Sequence, residues 1–229
     1  MATSSHSYSS AFGSFLVTET SGKHHDMVET PKVPRPYFII ESLEPSVETL
    51  LKSNKTTFLP VNTSIYITIG CIKALRLLHM KGFAHRNVQP AYFALRLPRG
   101  GLLSRKESEL SDLVAITDLS TCRKFRVNLV KGRNNLTYVG NWKYGSVETM
   151  SGKEPLAVDD LISCLYMLTE FVLGSIPWSQ LTEKQAIINE KKKVEEWDRV
   201  EDEKRNALLI NYRNLYEWLR NQPNLLWVE

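Results

Sequence analysis

The feature that most constrains the fold is an apolar segment in the last third of the chain. Residues 161–178 read LISCLYMLTEFVLGSIPW, in which Glu170 is the one charged residue and Gly174 and Pro177 end the apolar run. The run falls short of the ~20 apolar residues that a membrane-spanning helix needs. Because it is apolar on nearly every side, a helix here has to be enclosed by other elements. We therefore predict a buried helix over 161–173 inside a globular domain, with no membrane partner.

A second long helix is predicted earlier in the chain. Ile65, Ile69, Ile72 and Leu75 recur at steps of four and three, which is typical of a helix that buries one face, so we expect it to run from about residue 63 to 80. The three prolines of TPKVPRP, at 30–36, exclude a helix or a central strand there, because each removes a backbone N–H donor. The other patterns predict a short helix at 44–52, opening at Pro45, and strands at 15–20, 37–40 and 113–116. Residues 93–97 form a short apolar run, and residues 99–111 are polar. Helical stretches are expected at 183–205, with a solvated charged face, and at 208–219.

The positive charge of the chain is concentrated in its middle third. The whole sequence has a net charge of +4, but residues 61–146 hold 14 basic and 4 acidic side chains, whereas residues 147–229 hold 10 and 15. The mild overall charge argues for no particular partner. The local excess predicts a surface for acidic groups, with a solvated basic face as the alternative.

The cysteines and the N-terminus bear on the compartment. Cys71, Cys122 and Cys164 are far apart and show no CxxC spacing, which is typical of free thiols in a reducing environment. The first fifteen residues hold no basic region followed by an apolar one, so we expect no secretory signal. These observations predict a protein of the cytosol or the nucleus.

Five short motifs follow one another in an order that resembles a known family. They are LLHMKGFAHRNVQPAYFAL, TDLSTCRKFR, GNWKYGSVET, VDDLISCLYML and LGSIPW. Together they resemble the casein kinase 1 superfamily, including its tau tubulin kinase branch, over roughly residues 37–182. The resemblance implies an α+β, protein-kinase-like fold: residues 1–43 would form a reduced β N-lobe and hinge, and residues 44–229 a mainly α-helical C-lobe. Only seven residues separate Glu29 from Tyr37, so the N-lobe helix αC has no room.

The catalytic loop departs from the family pattern at the positions that do chemistry. In the motif H-R-D-x-x-x-x-N, the Asp takes the proton of the substrate hydroxyl and the Asn holds a metal ion. This chain has Asn87 and Tyr92 at those positions, and Gln89 replaces the family's lysine. An amide is no general base near neutral pH, and losing a positioned base removes roughly 10²–10⁴-fold in rate. The sequence therefore leaves no catalytic residue that we can assign.

The positions that would bind nucleotide are degenerate as well. Asp118 matches the metal-binding Asp of the DFG motif, but it could equally end a strand and begin a turn. The resemblance places Gly13 as the single glycine kept from the glycine-rich loop. The position of the ATP-binding lysine is occupied by Val28 or has been deleted. ATP and Mg²⁺ are therefore expected as cofactors only if residual nucleotide binding survives.

This sequence retains some of the residues at the family's anion-binding site. Casein kinase 1 enzymes prefer acidic or already phosphorylated substrates and bind an anion beside the activation segment. The resemblance implies that Arg86, Lys143 and Gly174 correspond to positions of this site, whereas Thr182 replaces a lysine. Arginine and lysine side chains here could pair with a phosphate or a carboxylate.

These observations together favour a casein kinase 1-like pseudokinase without phosphotransfer. Such a protein would act as a protein-binding scaffold or as a decoy for acidic or phosphorylated segments. The alternative is a weak or unconventional protein serine/threonine kinase that transfers phosphate from ATP and uses Asp118. Nucleic-acid binding by the basic middle third is disfavoured, because aromatic platforms are lacking. Trp218 and Trp227 are expected to pack in the core or against a helix rather than to form a ligand cage.

Overall fold

The computed structural model describes residues 43–54, 56, 58–96, 110–124, 133–193, 211, 214–219 and 221. Contacts group the chain into two compact units, Met1–Ser42 and Leu43–Glu229. The first unit lies outside the described residues. The predicted strands at 15–20 and 37–40 and the predicted nucleotide positions Gly13 and Val28 therefore lie outside them too.

Six helices and four short strands can be given bounds within the described residues of the second unit, and residues 214–219 are helical as well. The helices are α1 (Val47–Ser53), α2 (Val61–Met80), α3 (Leu110–Leu113), α4 (Val147–Met150), α5 (Ala157–Leu173) and α6 (Lys184–Lys191). The strands are β1 (Phe83–Ala84), β2 (Phe93–Leu95), β3 (Val114–Ile116) and β4 (Arg123–Lys124), and a 3₁₀ turn covers Pro90–Tyr92. This mixture of helices and small sheets agrees with the predicted α+β class.

Helix α5 is the centre of the domain. The predicted helix over 161–173 is confirmed and begins earlier, at Ala157. Most of its side chains are buried, including Tyr166, Met167 and Phe171, and α2 packs along it. Gly174 ends it with φ of 80°, a left-handed conformation that suits glycine. By length and composition alone α2 could cross a membrane, but in this fold it is a helix of the domain core.

The predicted buried face of α2 is partly wrong. Ile69 is 38% exposed, whereas Ser64, Thr68 and Cys71 are buried. The hydroxyls of Ser64 and Thr68 donate to carbonyl oxygens one turn earlier, at 3.0 and 2.8 Å, which removes the cost of burying them. A pattern of apolar residues alone cannot detect a helix face built from small polar side chains that bond to their own backbone.

Two antiparallel pairs of strands lie beside the helices. β2 pairs with β3, with Phe93 opposite Ile116, and β1 pairs with β4. Of this first pair, β3 was predicted as a strand, whereas the segment of β2 was recognised only as a short apolar run. The short helix α3, which precedes β3 directly, was not predicted: we expected polar loop up to Ser111.

The start of α1 and the C-terminal segment differ from what the sequence predicted. The α1 helix is capped by Ser46, whose hydroxyl accepts from the Thr49 N–H at 3.1 Å, so it begins at Val47 and not at Pro45. Residues 214–219 are helical, and Trp218 there is 51% exposed, which excludes the core position that was one of its two expected places. Tyr216 is buried there instead. Trp227 and residues 194–205 lie outside the described part.

Candidate functional site

The catalytic-loop segment is held by Asp160, near the start of α5. This carboxylate is 2% exposed and accepts hydrogen bonds from the backbone N–H groups of His85 at 2.7 Å and Arg86 at 2.9 Å. His79 of α2 contacts the same carboxylate through Nε2 at 2.9 Å. Sequence reasoning quoted this aspartate in a motif but gave it no role. The signal was present, since a charge at the start of the most apolar helix needs partners.

Asn87 and Gln89 form an amide cluster with Asn141, which no motif singled out. The Asn87 Oδ1 atom accepts from Gln89 Nε2 at 3.0 Å and from the Asn141 backbone N–H at 2.9 Å. The Asn141 side-chain amide in turn donates to Gln89 Oε1 at 3.1 Å. The residue at the family's base position therefore uses its oxygen to connect the loop to residues 140–145. An acceptor with two donors already in place is poorly suited to take a proton from a substrate.

Asp118 follows β3 and forms a local turn. Its Oδ1 atom accepts from the Ser120 backbone N–H at 2.7 Å. Burial acts to raise the pKa of Asp118, but the hydrogen bonds from Ser120 outweigh it, so the pKa lies below the ordinary value. Among the described residues, no group of three His, Cys, Asp or Glu side chains is arranged to hold a metal ion. The nearby Tyr92 closes the 3₁₀ turn, and its ring centroid lies 6.4 Å from that of His85.

The side chain of His85 itself is fully buried. Burial lowers its pKa, and the negative charge of Asp160 opposes this only in part. Its Nδ1 atom accepts from the Asn87 N–H at 3.3 Å, and its carbonyl accepts from the Thr121 hydroxyl at 2.8 Å. A neutral ring with these partners supports the loop structurally.

A basic pocket opens between the catalytic loop and residues 133–163. Its lining includes Arg86, Arg123, Tyr138, Val139 and Lys153, with Asp159 and Asp160 in its wall. Burial and the positive charge of Arg123 both lower the pKa of Arg86, so two like charges face the same space. Such an arrangement attracts an anion.

Asp159, in the buried wall of this pocket, has a raised pKa. Burial raises the pKa of Asp159 to about 7, although the Ser146 hydroxyl at 2.6 Å and the Leu156 N–H at 2.8 Å favour its charged form. Asp159 therefore adds little negative charge to the pocket below neutral pH.

Lys143 and Gly174, the other two predicted anion positions, both contact Glu170. Lys143 Nζ lies 2.5 Å from Glu170 Oε1, and the Tyr144 hydroxyl donates to the other carboxylate oxygen. The Gly174 N–H donates to the Glu170 carbonyl at 2.7 Å. The structure thus places Arg86 in the basic pocket and joins Lys143 and Gly174 through an internal glutamate.

Lys191 of α6 is a buried cation that sequence reasoning missed, because its segment was interpreted as a solvated charged face. Its side chain is fully buried, and Nζ donates to the carbonyl oxygens of Trp142 at 2.7 Å and Gly145 at 2.6 Å. The Tyr166 ring centroid lies 4.8 Å away. Burial lowers the pKa of Lys191 to about 7. Through these contacts Lys191 connects α6 to residues 142–145.

Comparison with known proteins gives one informative relationship. No family model matches the chain. A probable serine/threonine-protein kinase of Dictyostelium discoideum is 26% identical over 186 residues. The match covers 80% of this chain but 34% of that kinase, so the chain spans about a third of its relative. The motif order, the fold and this similarity together support a protein-kinase-like relationship.

Proposed function

We propose that this chain is a casein kinase 1-like pseudokinase domain that binds acidic or phosphorylated protein segments and does not transfer phosphate. The single observation that carries the proposal is the amide cluster of Asn87, Gln89 and Asn141. In an active kinase the aspartate at the first of these positions is available to a substrate hydroxyl. Here the corresponding oxygen already accepts two hydrogen bonds from the protein itself.

The binding half of the proposal is supported by the basic pocket. Arg86 and Arg123 line it together, and both belong to the middle third of the chain, which has a net charge of +10. Two guanidinium groups can form charge-assisted hydrogen bonds with a phosphate or a carboxylate. Val139, 38% exposed, offers apolar contact beside them, so a peptide with an acidic group next to an apolar side chain fits the pocket.

The catalytic half is tested with radiolabelled ATP, Mg²⁺ and an acidic phosphopeptide. We expect no transfer above background. Transfer that disappears in Asp118→Ala would overturn the proposal, because it would show that the remaining DFG aspartate supports catalysis.

The binding half is tested by fluorescence anisotropy with a labelled peptide that carries one phosphoserine among aspartates. Arg123→Gln should weaken binding by roughly five- to tenfold, the effect of losing one charge-assisted hydrogen bond. Lys124→Gln is the matched control, since this neighbouring lysine is exposed and does not line the pocket. Equal affinities for the two variants would place binding elsewhere.

The alternative function is an unconventional serine/threonine kinase, and Asp118 is the observation in its favour. Its carboxylate is ionised at neutral pH and still has one oxygen to offer a metal ion. This alternative requires Mg²⁺-dependent nucleotide binding, which raises the melting temperature. Absence of a shift at millimolar ATP with Mg²⁺ would argue against it.

A further inference from the structure

Glu170 contacts both of the predicted anion positions that lie outside the basic pocket. Its carboxylate pairs with Lys143, and its carbonyl accepts the Gly174 N–H. A carboxylate that accepts from a lysine and from a hydroxyl has the same hydrogen-bonding chemistry as an acidic or phosphorylated ligand.

The pair is held rigidly on both sides. The Lys143 N–H donates to Asn141 Oδ1 at 2.9 Å, and the Lys143 carbonyl accepts from Trp178 Nε1 at 2.7 Å. Glu170 lies in the last turn of α5, where it is part of the helical core. Because both backbones are fixed, forming the pair requires only the two side chains to be ordered.

The pair is also partly withdrawn from water. The Lys143 side chain is 31% exposed and that of Glu170 is 16% exposed. The Tyr144 hydroxyl, which donates to the same carboxylate, is held protonated because burial and the charge of Glu170 raise the pKa of Tyr144. A pair that is partly shielded from water is weakened less by solvent and salt than an exposed surface pair. It therefore competes better with an external anion.

We propose that Glu170 is an internal ligand of Lys143: it occupies the place of an acidic or phosphorylated segment and so confines binding to the pocket of Arg86 and Arg123. This inference rests on the proposed function, because it concerns which part of the anion surface is open. Lys143 accepts an external anion only when the Glu170 carboxylate is neutralised or displaced.

The test uses Glu170→Gln in the full chain and the labelled phosphoserine peptide. The substitution removes the charge and keeps the shape, so the peptide should bind roughly tenfold more tightly, the effect of one recovered charge-assisted hydrogen bond. The double variant Glu170→Gln with Lys143→Gln should return to the wild-type affinity. Glu190→Gln is the matched control, because it removes an equal charge from a pair with Lys193 that is more exposed than the Lys143–Glu170 pair, and it should leave affinity unchanged.

A second variant keeps the inference testable if Glu170→Gln does not fold. Lys143→Gln alone should bind the peptide as the wild type does, because Lys143 is already occupied. A several-fold loss in Lys143→Gln, or an unchanged affinity in folded Glu170→Gln, would overturn the inference.

The same data separate this inference from the proposed function. A wild-type protein that binds no peptide, together with a Glu170→Gln variant that binds it through Lys143, would contradict the proposed function and support the internal ligand. A wild type that binds through Arg123, with no gain in Glu170→Gln, would do the opposite.

Discussion

Asp160 holds Arg86 in a left-handed backbone conformation: the Arg86 N–H donates to the Asp160 carboxylate at 2.9 Å, and Arg86 has φ of 72°. A non-glycine residue with positive φ is disfavoured by roughly 1 kcal/mol or more and persists only where its surroundings impose it. The loop that carries Asn87 is thus shaped by a carboxylate from the core helix.

Replacing this carboxylate should destabilise the whole domain. Asp160→Ala leaves two backbone N–H groups and His79 without their acceptor, so we expect a loss of about 3 kcal/mol in the free energy of unfolding. Chemical denaturation measures it. Asp112→Ala is the control, because Asp112 pairs with Lys73 on the surface and its loss should leave the midpoint within error. Equal effects for the two variants would contradict the role of Asp160.

Gly140 is predicted to be intolerant of any side chain. Its φ is 131°, and a Cβ atom built there would lie 2.5 Å from the Arg86 carbonyl oxygen. Gly140→Ala should therefore cost about 3 kcal/mol, from strain and from separation of the two segments.

Gly82→Ala separates the two causes. Gly82 also has positive φ, at 80°, but no atom lies within 4 Å of its built Cβ. It should lose only about 1 kcal/mol, the cost of the backbone conformation. Thermal unfolding of both variants checks the difference, and a Gly82→Ala loss as large as that of Gly140→Ala would refute the steric argument.

Asn87→Asp should fold normally and remain inactive. An aspartate keeps the oxygen that accepts from Gln89 and from the Asn141 N–H, so the melting temperature should change little. One oxygen of the restored carboxylate stays occupied by these donors, and Tyr92 still stands at the family's metal-binding position. Radiolabelled ATP with the acidic phosphopeptide measures the activity. Robust transfer by this single variant would show that the base alone was missing.

Lys191 should make stability depend on pH above neutrality. Its pKa is about 7 in the folded protein and 10.5 ordinarily, so above pH 7 the folded protein releases a proton that the unfolded chain still holds. The unfolded state then binds more protons, and stability rises with pH, by roughly 1–2 kcal/mol between pH 7 and 9.

Urea denaturation at several pH values tests this with Lys191→Met. The variant has no titrating group at this position, so its curve should lack that rise. Lys184→Met, an exposed lysine of the same helix, should keep it. If both variants retain the wild-type slope, another group is responsible.

Particular elements show how far sequence reasoning reaches. The helix over 161–173 and the strand at 113–116 were predicted, because apolar runs between turn residues admit few other structures. The run at 93–97 was recognised as apolar but was not assigned to a strand. The prediction of the buried face of α2 was partly wrong. Ser64 and Thr68 are buried there because their hydroxyls donate to backbone carbonyl oxygens one turn earlier. The departures from the family motif at Asn87, Gln89 and Tyr92 were identified from the motif alone.

The sequence by itself determined the class of the domain and which chemical groups its catalytic loop lacks, because both follow from local pattern and residue type. Only the tertiary structure decided what the remaining groups do. It joined Asn87 to Asn141, Lys143 to Glu170 and the buried Lys191 to the carbonyl of Gly145. These partners are between 27 and 54 positions apart in the chain. The physical reason is that a polar side chain finds its partner through the packing of whole helices, which local periodicity does not encode.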